Sequence, residues 1–277
     1  LESPQGRADL ILYMKMMMSS SATQPDNPVI SALTIRLLLK EKSLMMQRTE
    51  EMVKERLHDI RKTVEEAAAI SGRSSDDVSV MAVTKTVPPV LVNAAIAEGI
   101  TLLGENRAQE LLEKYADYHL DGVQIHFIGH LQTNKVKAII DKVSCIESVD
   151  SVRLIDEIER QAARIDRIMD ILLDVNISAQ ESKGGFSEEE AVQAAAYTSS
   201  CAHLHLKGLM CIPDQTESHA AFLRMRRLFD TLRKQYSAMD TLSMGMSGDF
   251  ADAIRCGSTQ IRIGSAIFGE REYRRLS

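Results

Sequence analysis

Short apolar runs and amphipathic stretches alternate along most of the chain. A stripe of apolar positions at helical spacing runs through residues 49–71 and predicts an amphipathic helix that ends at Gly72. A β-rich run over 78–84 follows and ends at Lys85. Pro89 then opens a second predicted helix, which stops at Gly99.

The same alternation continues to the end of the chain. Further apolar runs lie near 101–105, 123–129, 143–149, 168–177, 204–212, 241–246 and 259–264, and helical patterns separate them at 107–118, 133–141, 152–165, 187–200, 217–236 and 249–256. Strands that alternate with helices indicate an α/β protein with a parallel sheet. Eight such units in about 200 residues favour a single closed (β/α)₈ TIM barrel. An open doubly wound sheet would need a glycine-rich turn after its first strand, where this chain has Thr84–Lys85–Thr86.

Composition and charge exclude several classes of protein. Lys plus Arg total 33 and Asp plus Glu total 39, for a formal charge of −6, which argues against a nucleic-acid-binding protein. The four cysteines form no C-x-x-C pair, so we expect neither a metal site nor disulfides, and a reducing compartment. No apolar run is long enough to span a membrane. These features predict a cytoplasmic protein.

The first 47 residues do not follow the pattern of the rest. Residues 1–46 contain six of the 14 methionines, and the apolar stretch from Leu10 to Met18 is interrupted by Lys15. The acidic residues Glu2 and Asp9 at the start do not suit a signal peptide. We predict a poorly ordered extension over residues 1–47 and one barrel domain over residues 48–277.

Lys85 is the first candidate for chemistry. It directly follows an apolar strand, at the end of a barrel strand where active sites are built. Partial burial lowers the pKa of a lysine and frees its amine to form an imine with an aldehyde. A lysine at a strand end also pairs with phosphates or carboxylates, and its position alone leaves these alternatives open.

The ends of the last two predicted strands supply the second half of a ligand site. Ser247 lies in a run of small residues after the seventh strand, and Gly264 and Ser265 follow the eighth. Free backbone N–H groups and hydroxyls there form a cradle for an anion, and barrels often bind phosphate at this place. An amine opposite a phosphate cradle fits pyridoxal 5′-phosphate, with its aldehyde at Lys85.

Two histidines invite a metal interpretation. His126 and His130 lie four residues apart on a strand-to-loop segment, which is poor geometry for one ion. We expect them to pack in a loop or pocket. Glu188, Glu189 and Glu190 follow Ser187, and we expect that group to cap a helix.

Seven motifs together resemble one family, the pyridoxal phosphate homeostasis proteins, also called the YggS/PROSC family. They span about residues 50–270 in the family's order: Ala82–Lys85, Gly104–Asn106, His126–Lys135, Val175–Ile177 with Glu181–Gly185, Gly208–Met210, Leu242–Asp249 and Ile261–Gly269. Residues 1–46 have no counterpart in the family pattern. The resemblance implies a barrel like the N-terminal domain of alanine racemase, the fold-type III class of pyridoxal-phosphate proteins.

The resemblance also implies a role for each site residue. Lys85 matches the lysine that holds the cofactor as a covalent aldimine. Arg262 matches the arginine beside the pyridine nitrogen, and the phosphate-binding positions correspond to Ser247, Gly264 and Ser265. Asn106 matches a pocket asparagine near the ring, and Met244 a residue that packs against the ring.

An arginine at the ring nitrogen bears on activity. Arginine has no hydrogen-bond acceptor and stays charged, so it leaves that nitrogen unprotonated and weakens the electron sink. Racemases of this fold add a tyrosine from a C-terminal β-domain of a partner chain, and we expect no such domain here because the chain ends at Ser277.

We therefore expect a monomer that buffers and carries pyridoxal phosphate, maintains vitamin B6 homeostasis without robust catalysis, and meets pyridoxal-phosphate-requiring apoenzymes transiently. The alternatives are an amino-acid racemase with a one-base mechanism and a scaffold whose cofactor regulates partner binding.

Overall fold

The computed structural model describes residues 50–178, 184–214 and 216–269. Eight parallel strands form a closed barrel in chain order, and β1 pairs with β8 to complete it. The strands are β1 (Ser79–Val83), β2 (Leu102–Glu105), β3 (Gln124–Phe127), β4 (Cys145–Val149), β5 (Met169–Asp174), β6 (Leu204–Met210), β7 (Thr241–Met246) and β8 (Gln260–Ile263). The predicted (β/α)₈ barrel is confirmed, and each strand lies within or beside a predicted apolar run.

Helices surround the strands at the predicted positions. They are α1 (50–70), α2 (Pro89–Ala97), α3 (Ala108–Lys114), α4 (Thr133–Ile139), α5 (Val152–Arg164), α6 (Glu188–Thr198), α7 (Ser218–Arg233), α8 (Phe250–Arg255) and the short α9 (Ser265–Phe268). Ser187 caps α6 as predicted, because its side chain accepts from the Glu190 N–H while the Glu190 carboxylate accepts from the Ser187 N–H. The predicted extension over 1–47 lies outside the described residues, so the domain boundary stays a prediction.

Alternation along the strands divides the core into two parts. One face of each strand packs on the helices, and this layer holds most of the buried apolar side chains. The opposite face points into the barrel, where Met81, Val83, Leu102 and Ile128 form a separate apolar cluster. Lys85 and Asn106 continue the inward-facing series of β1 and β2 past the strand ends. The barrel interior therefore leads directly to the predicted site.

Helix α1 and the turn that follows it are fixed to the last βα unit through backbone carbonyls. Arg73 donates to the Ser258 carbonyl at 2.8 Å, and Arg56 donates to the Ile267 carbonyl at 3.3 Å. These bonds join the start of the described chain to the segment that carries Gly264 and Ser265. Among the described residues, no helix combines the length and the apolar character needed to cross a membrane.

Candidate functional site

The strand pairing brings the predicted site residues to one edge of the barrel. Val83 of β1 pairs with Gly104 of β2, so Lys85 and Asn106, each two residues further on, leave neighbouring strands side by side. On the other side of β1, Ala82 pairs with Ile263, the residue before Gly264. The carboxyl ends of β7, β8, β1 and β2 are therefore contiguous, as a closed barrel requires.

Contacts with β2 and α3 hold the backbone around Lys85. The Thr84 N–H donates to the Gly104 carbonyl at 3.0 Å, and its hydroxyl donates to Glu105 Oε1 at 2.7 Å. The Thr86 N–H donates to the Glu110 carboxylate, and Thr86 has a φ of 62°, a left-handed conformation that is uncommon for a β-branched residue. Lys85 itself is partly buried. These contacts fix the direction in which the lysine leaves the strand.

Glu105 lies beneath this turn, between the barrel and the helices. Its Oε1 atom also accepts from the Tyr118 hydroxyl at 2.7 Å, and the residue is fully buried. Burial raises the pKa of the Glu105 carboxyl, and the hydrogen bonds from Thr84 and Tyr118 oppose that rise. The Tyr118 hydroxyl is therefore committed to the outer face of β2.

Asn106 has an unsatisfied hydrogen-bond acceptor at the mouth of the barrel, the end formed by the carboxyl ends of the strands. Its Oδ1 atom is buried and has no hydrogen-bond partner among the residues that the structure describes. The loop after β3 packs directly on the Asn106 backbone, and a Cβ atom on Gly129 would lie 2.1 Å from the Asn106 carbonyl oxygen. Glycine is required at 129 for that close approach. A buried acceptor without a donor is costly, and a ligand with an N–H or O–H group would satisfy it.

The loops after β7 and β8 meet at Ser247. Its hydroxyl accepts from the Ala266 N–H at 3.3 Å, which joins the β7 loop to the first turn of α9. The β7 loop is closed by Asp249, whose carboxylate accepts from the Met246 N–H at 2.7 Å. Ser265 is exposed beside them. The Ser247 hydroxyl and the start of α9 are therefore in contact, and Ser265 is the first residue of that helix.

The backbone conformation at Gly264 does not require a glycine. Its φ is −114° and its ψ is −78°, which other residues also adopt. A Cβ atom there would lie 3.5 Å from Val83 Cβ, an ordinary contact distance. An added methyl group at 264 would thus make only ordinary contacts with the protein.

Arg262 is held rigidly inside the barrel. It is 3% exposed, donates from Nη1 to Ser243 Oγ at 2.7 Å, and donates from Nη2 to the Cys211 carbonyl at 2.8 Å. Both partners are on neighbouring elements of the same barrel wall. These two acceptors set the orientation of the guanidinium group.

Behind Arg262 lies a buried polar network centred on Glu147 of β4. The Glu147 carboxylate accepts from Ser243 Oγ, His126 Nδ1 and Gln260 Nε2, each at 2.6 Å. Burial alone would raise the pKa of Glu147, but the hydrogen bond and charge of His126, the charge of Arg262 and the Ser243 bond hold it below its ordinary value. The network balances the charge of Arg262 across the barrel.

The expectation that His126 and His130 pack in a loop or pocket is met by His126, which contacts Glu147 in the barrel interior, but not by His130, whose side chain is 74% exposed. The sequence does not identify Glu147 or Gln260 as parts of the site. The feature that could have indicated them is an ionisable or amide side chain at a position of a strand that points into the barrel.

Asp174 ends β5 on the opposite side of the mouth. Burial raises the pKa of its carboxyl group to about 7; the charge of Arg262 opposes this rise and Asp150 adds to it. Nearby, His130 Nδ1 and Asp150 Oδ2 are 2.9 Å apart at an exposed position. The mouth therefore combines the positive Arg262 with a carboxyl group that titrates near neutral pH.

The structure does not bring Met244 to the mouth. Its side chain is fully buried in the apolar layer between the strands and the helices, whereas the preceding residue, Ser243, points into the barrel. The remaining predicted residues, Lys85, Asn106, Ser247, Arg262, Gly264 and Ser265, follow or occupy four contiguous strands.

Comparison with known proteins places the chain in a family. Residues 56–272 match the family model described as alanine racemase, N-terminal domain. A pyridoxal phosphate homeostasis protein from Aquifex aeolicus is 38% identical over 224 residues, which cover 79% of this chain and 98% of that protein.

Two solved structures share the fold over most of this chain. An unknown protein from Bifidobacterium adolescentis is 31% identical with a TM-score of 0.76, and the match covers 80% of this chain and 96% of that one. PipY of Synechococcus elongatus PCC7942, with pyridoxal phosphate bound, is 28% identical with a TM-score of 0.68, and the match covers 78% of this chain and 100% of that one.

The fold and the family model define a barrel of the alanine-racemase N-terminal class. Within that class, the chain belongs to the family of pyridoxal phosphate homeostasis proteins.

Proposed function

We propose that this protein binds pyridoxal 5′-phosphate at the mouth of its barrel and holds it for release, which buffers and carries the cofactor and so serves vitamin B6 homeostasis. The observation that carries the proposal is the placement of Lys85, the Ser247–Ser265 region and Arg262 on contiguous strand ends. The family of the chain and the pyridoxal phosphate bound to PipY support it.

The residues present fit this cofactor. It supplies, when bound, an aldehyde that condenses with amines and a ring that withdraws electrons from an attached carbon. Lys85 offers the amine, and we propose that its Nζ atom forms the covalent attachment as a Schiff base. Ser247, Gly264 and Ser265 would hold the phosphate through two hydroxyls and the backbone N–H groups of the last loop. The orphan Oδ1 of Asn106 is available to a donor on the ligand.

Arg262 favours holding the cofactor over catalysis with it. The guanidinium group is fixed by Ser243 and the Cys211 carbonyl, and it can only donate. A ring nitrogen that accepts from Arg262 stays unprotonated, so the electron withdrawal on which amino-acid chemistry depends stays weak. We propose a binding protein without robust turnover. The monomeric state and the cytoplasmic location stay predictions.

Transfer of cofactor to an apoenzyme tests the carrier role. The protein is loaded with pyridoxal phosphate, freed of excess cofactor and mixed with an apo-aminotransferase, and the return of aminotransferase activity is followed. We expect full activation by the loaded protein, and none by the Lys85→Ala variant taken through the same loading and desalting. Lys142, a lysine paired with Asp141 on the surface, provides the matched control variant Lys142→Ala, which should transfer normally. Retention of all cofactor by the wild-type protein would contradict a carrier.

The second candidate function is a slow amino-acid racemase, and Asp174 is the observation that favours it. A carboxyl group with a pKa of about 7 at the mouth suits proton transfer near neutral pH. The test is exchange of the α-proton of L-alanine and L-serine in deuterated water by the loaded protein. The carrier account predicts negligible exchange. Exchange at about 1 per second or faster, lost in Asp174→Asn, would establish the enzyme.

A further inference from the structure

A second group of chemically reactive side chains lies on the outside of the barrel, where α7 and α8 meet. His219 lies in the first turn of α7, and Asp252 and Cys256 lie four residues apart in and just after α8. One ligand atom from each residue, His219 Nδ1, a carboxylate oxygen of Asp252 and Cys256 Sγ, lies within 4.8 Å of the other two. The cluster involves none of the residues proposed for the cofactor.

The distances within the cluster lie within about half an ångström of those between the ligands of one tetrahedral ion. His219 Nδ1 is 3.7 Å from Cys256 Sγ and 2.9 Å from Asp252 Oδ2. Zinc bonds of about 2.0–2.3 Å at tetrahedral angles place neighbouring ligand atoms about 3.3–3.6 Å apart. Small side-chain adjustments would therefore seat one ion among the three atoms.

The thiol separates this cluster from the other histidine–carboxylate pairs. His203 with Glu159 and His205 with Asp170 have similar nitrogen-to-oxygen distances, at 2.9 and 3.0 Å. Among the residues that the structure describes, neither of these pairs has a third metal-binding side chain close to it, whereas His219 and Asp252 have Cys256. Imidazole and thiolate together select ions such as Zn²⁺ over Mg²⁺ or Ca²⁺, which take oxygen ligands.

We propose that His219, Asp252 and Cys256 form a binding site for a single Zn²⁺ ion. The three side chains supply nitrogen, oxygen and sulfur, and a water molecule completes four-coordination from the solvent side, where the His219 side chain is 65% exposed. Arg255 Nη2 lies 3.3 Å from Asp252 Oδ1, which leaves Oδ2 for the ion.

Binding of the zinc ion at this site would release one proton. Cysteine binds zinc as a thiolate, so the ion replaces the thiol proton of Cys256. The Zn–S bond forms as the S–H bond breaks, one proton passes to solvent, and His219 binds as a neutral ligand. The two anionic ligands then balance the charge of the ion.

The zinc site would link helices α7 and α8 to the loop that carries Ser247. Helix α8 begins directly after the loop of Ser247 and Asp249, and the ion would tie this helix to the start of α7. Zinc binding should therefore raise the midpoint of thermal unfolding of the cofactor-free protein. This effect does not depend on the proposed function.

Cobalt provides a direct spectroscopic test. The tag-free, reduced protein without pyridoxal phosphate is titrated with Co²⁺, and the spectrum is recorded before and after one equivalent of Zn²⁺ is added. We expect a sulfur-to-cobalt charge-transfer band and the intense visible bands of four-coordinate cobalt, saturating at one ion per chain and abolished by Zn²⁺. No such bands, or bands that survive Zn²⁺, would overturn the proposal.

Matched variants identify the ligands. Cys256→Ser and His219→Gln should each remove the charge-transfer band or weaken Zn²⁺ binding more than about 100-fold, since loss of even an outer partner weakens metal sites 10- to 100-fold. His219 is exposed, so its variant reports on the site even where Cys256→Ser folds poorly. Cys201→Ser, at a thiol on a different helix end, is the control and should leave the band unchanged. An unchanged band together with unchanged Zn²⁺ affinity in His219→Gln, or loss of the band in Cys201→Ser, would overturn the assignment.

Discussion

Arg262 Nη1 donates to Ser243 Oγ at 2.7 Å, and this bond couples the proposed cofactor site to the interior of the barrel. The same hydroxyl donates to Glu147 Oε2 at 2.6 Å, so Ser243 bridges the guanidinium group and a fully buried carboxylate by two hydrogen bonds. The position of Arg262 therefore depends on β4 and β7 as well as on its own strand.

Glu147→Gln should destabilise the fold by about 3–5 kcal/mol, because it leaves the buried Arg262 without its balancing charge. The pKa of Glu147 lies below its ordinary value, so its contribution is present above the unfolded pKa of about 4.3 and is lost as the pH falls. Urea unfolding at pH 7 measures the effect. Asp230→Asn, which breaks a surface pair with Arg226, is the control and should cost less than about 1 kcal/mol. Equal effects of the two changes would show that the network does not carry the charge of Arg262.

Gly264→Ala should weaken cofactor binding without unfolding the protein. The backbone at 264 accepts alanine and the added methyl group makes only ordinary contact with Val83, so any steric cost falls on the bound phosphate. We expect a loss of affinity of at least about tenfold with an unchanged thermal midpoint in the cofactor-free state. Gly248→Ala in the neighbouring loop, where a Cβ would meet nothing within 4 Å, is the control. If Gly264→Ala and Gly248→Ala bound the cofactor with similar affinity, Gly264 would not lie beside the bound phosphate.

Ser247→Ala and Ser265→Ala should each weaken cofactor binding by about 1–3 kcal/mol, because each removes a hydrogen bond to a charged acceptor. Only Ser247→Ala should also alter the free protein, since its hydroxyl accepts from the Ala266 N–H and joins two loops. Fluorescence titration gives the affinities, and hydrogen exchange at Ala266 reports on the loop. Unchanged affinity in both variants would place the phosphate elsewhere.

Asp174→Asn should stabilise the cofactor-free protein more at pH 8 than at pH 5. The folded pKa of Asp174, about 7, lies above that of the unfolded chain, so its favourable contribution is complete below about pH 4 and is lost as the pH rises through 7. Asparagine stays neutral throughout, and the gain at pH 8 should be on the order of 3 kcal/mol. Urea unfolding at both pH values measures it, with Asp230→Asn as the surface control. A gain that does not change with pH would mean that Asp174 is charged in the fold at pH 5.

Most of the fold and much of the candidate site could be predicted from the sequence. The eight strands follow because the residues on both faces of a barrel strand are largely buried and mostly apolar, so each strand stands out as a short run between helical stripes. Lys85, Ser247 and Ser265 can be named as candidates because strand ends carry function in this architecture.

What the sequence did not reveal depends on contacts across the barrel. Glu147 and Ser243 are 96 residues apart, and nothing in either local pattern indicates that one accepts from the other. Met244 shows the converse limit: a motif places it next to the site in sequence, but strand alternation turns its side chain toward the helices. His219 and Asp252 likewise meet only because α7 and α8 are neighbours in the ring.

The identity of the lysine that binds the cofactor tests the central claim most directly. The protein loaded with pyridoxal phosphate is reduced with borohydride and digested, and the peptides are mapped by mass spectrometry. A site at the contiguous ends of β7, β8, β1 and β2 predicts one phosphopyridoxyl group per chain, located on Lys85. No stable adduct, or an adduct confined to lysines away from the mouth such as Lys142 or Lys207, would contradict it.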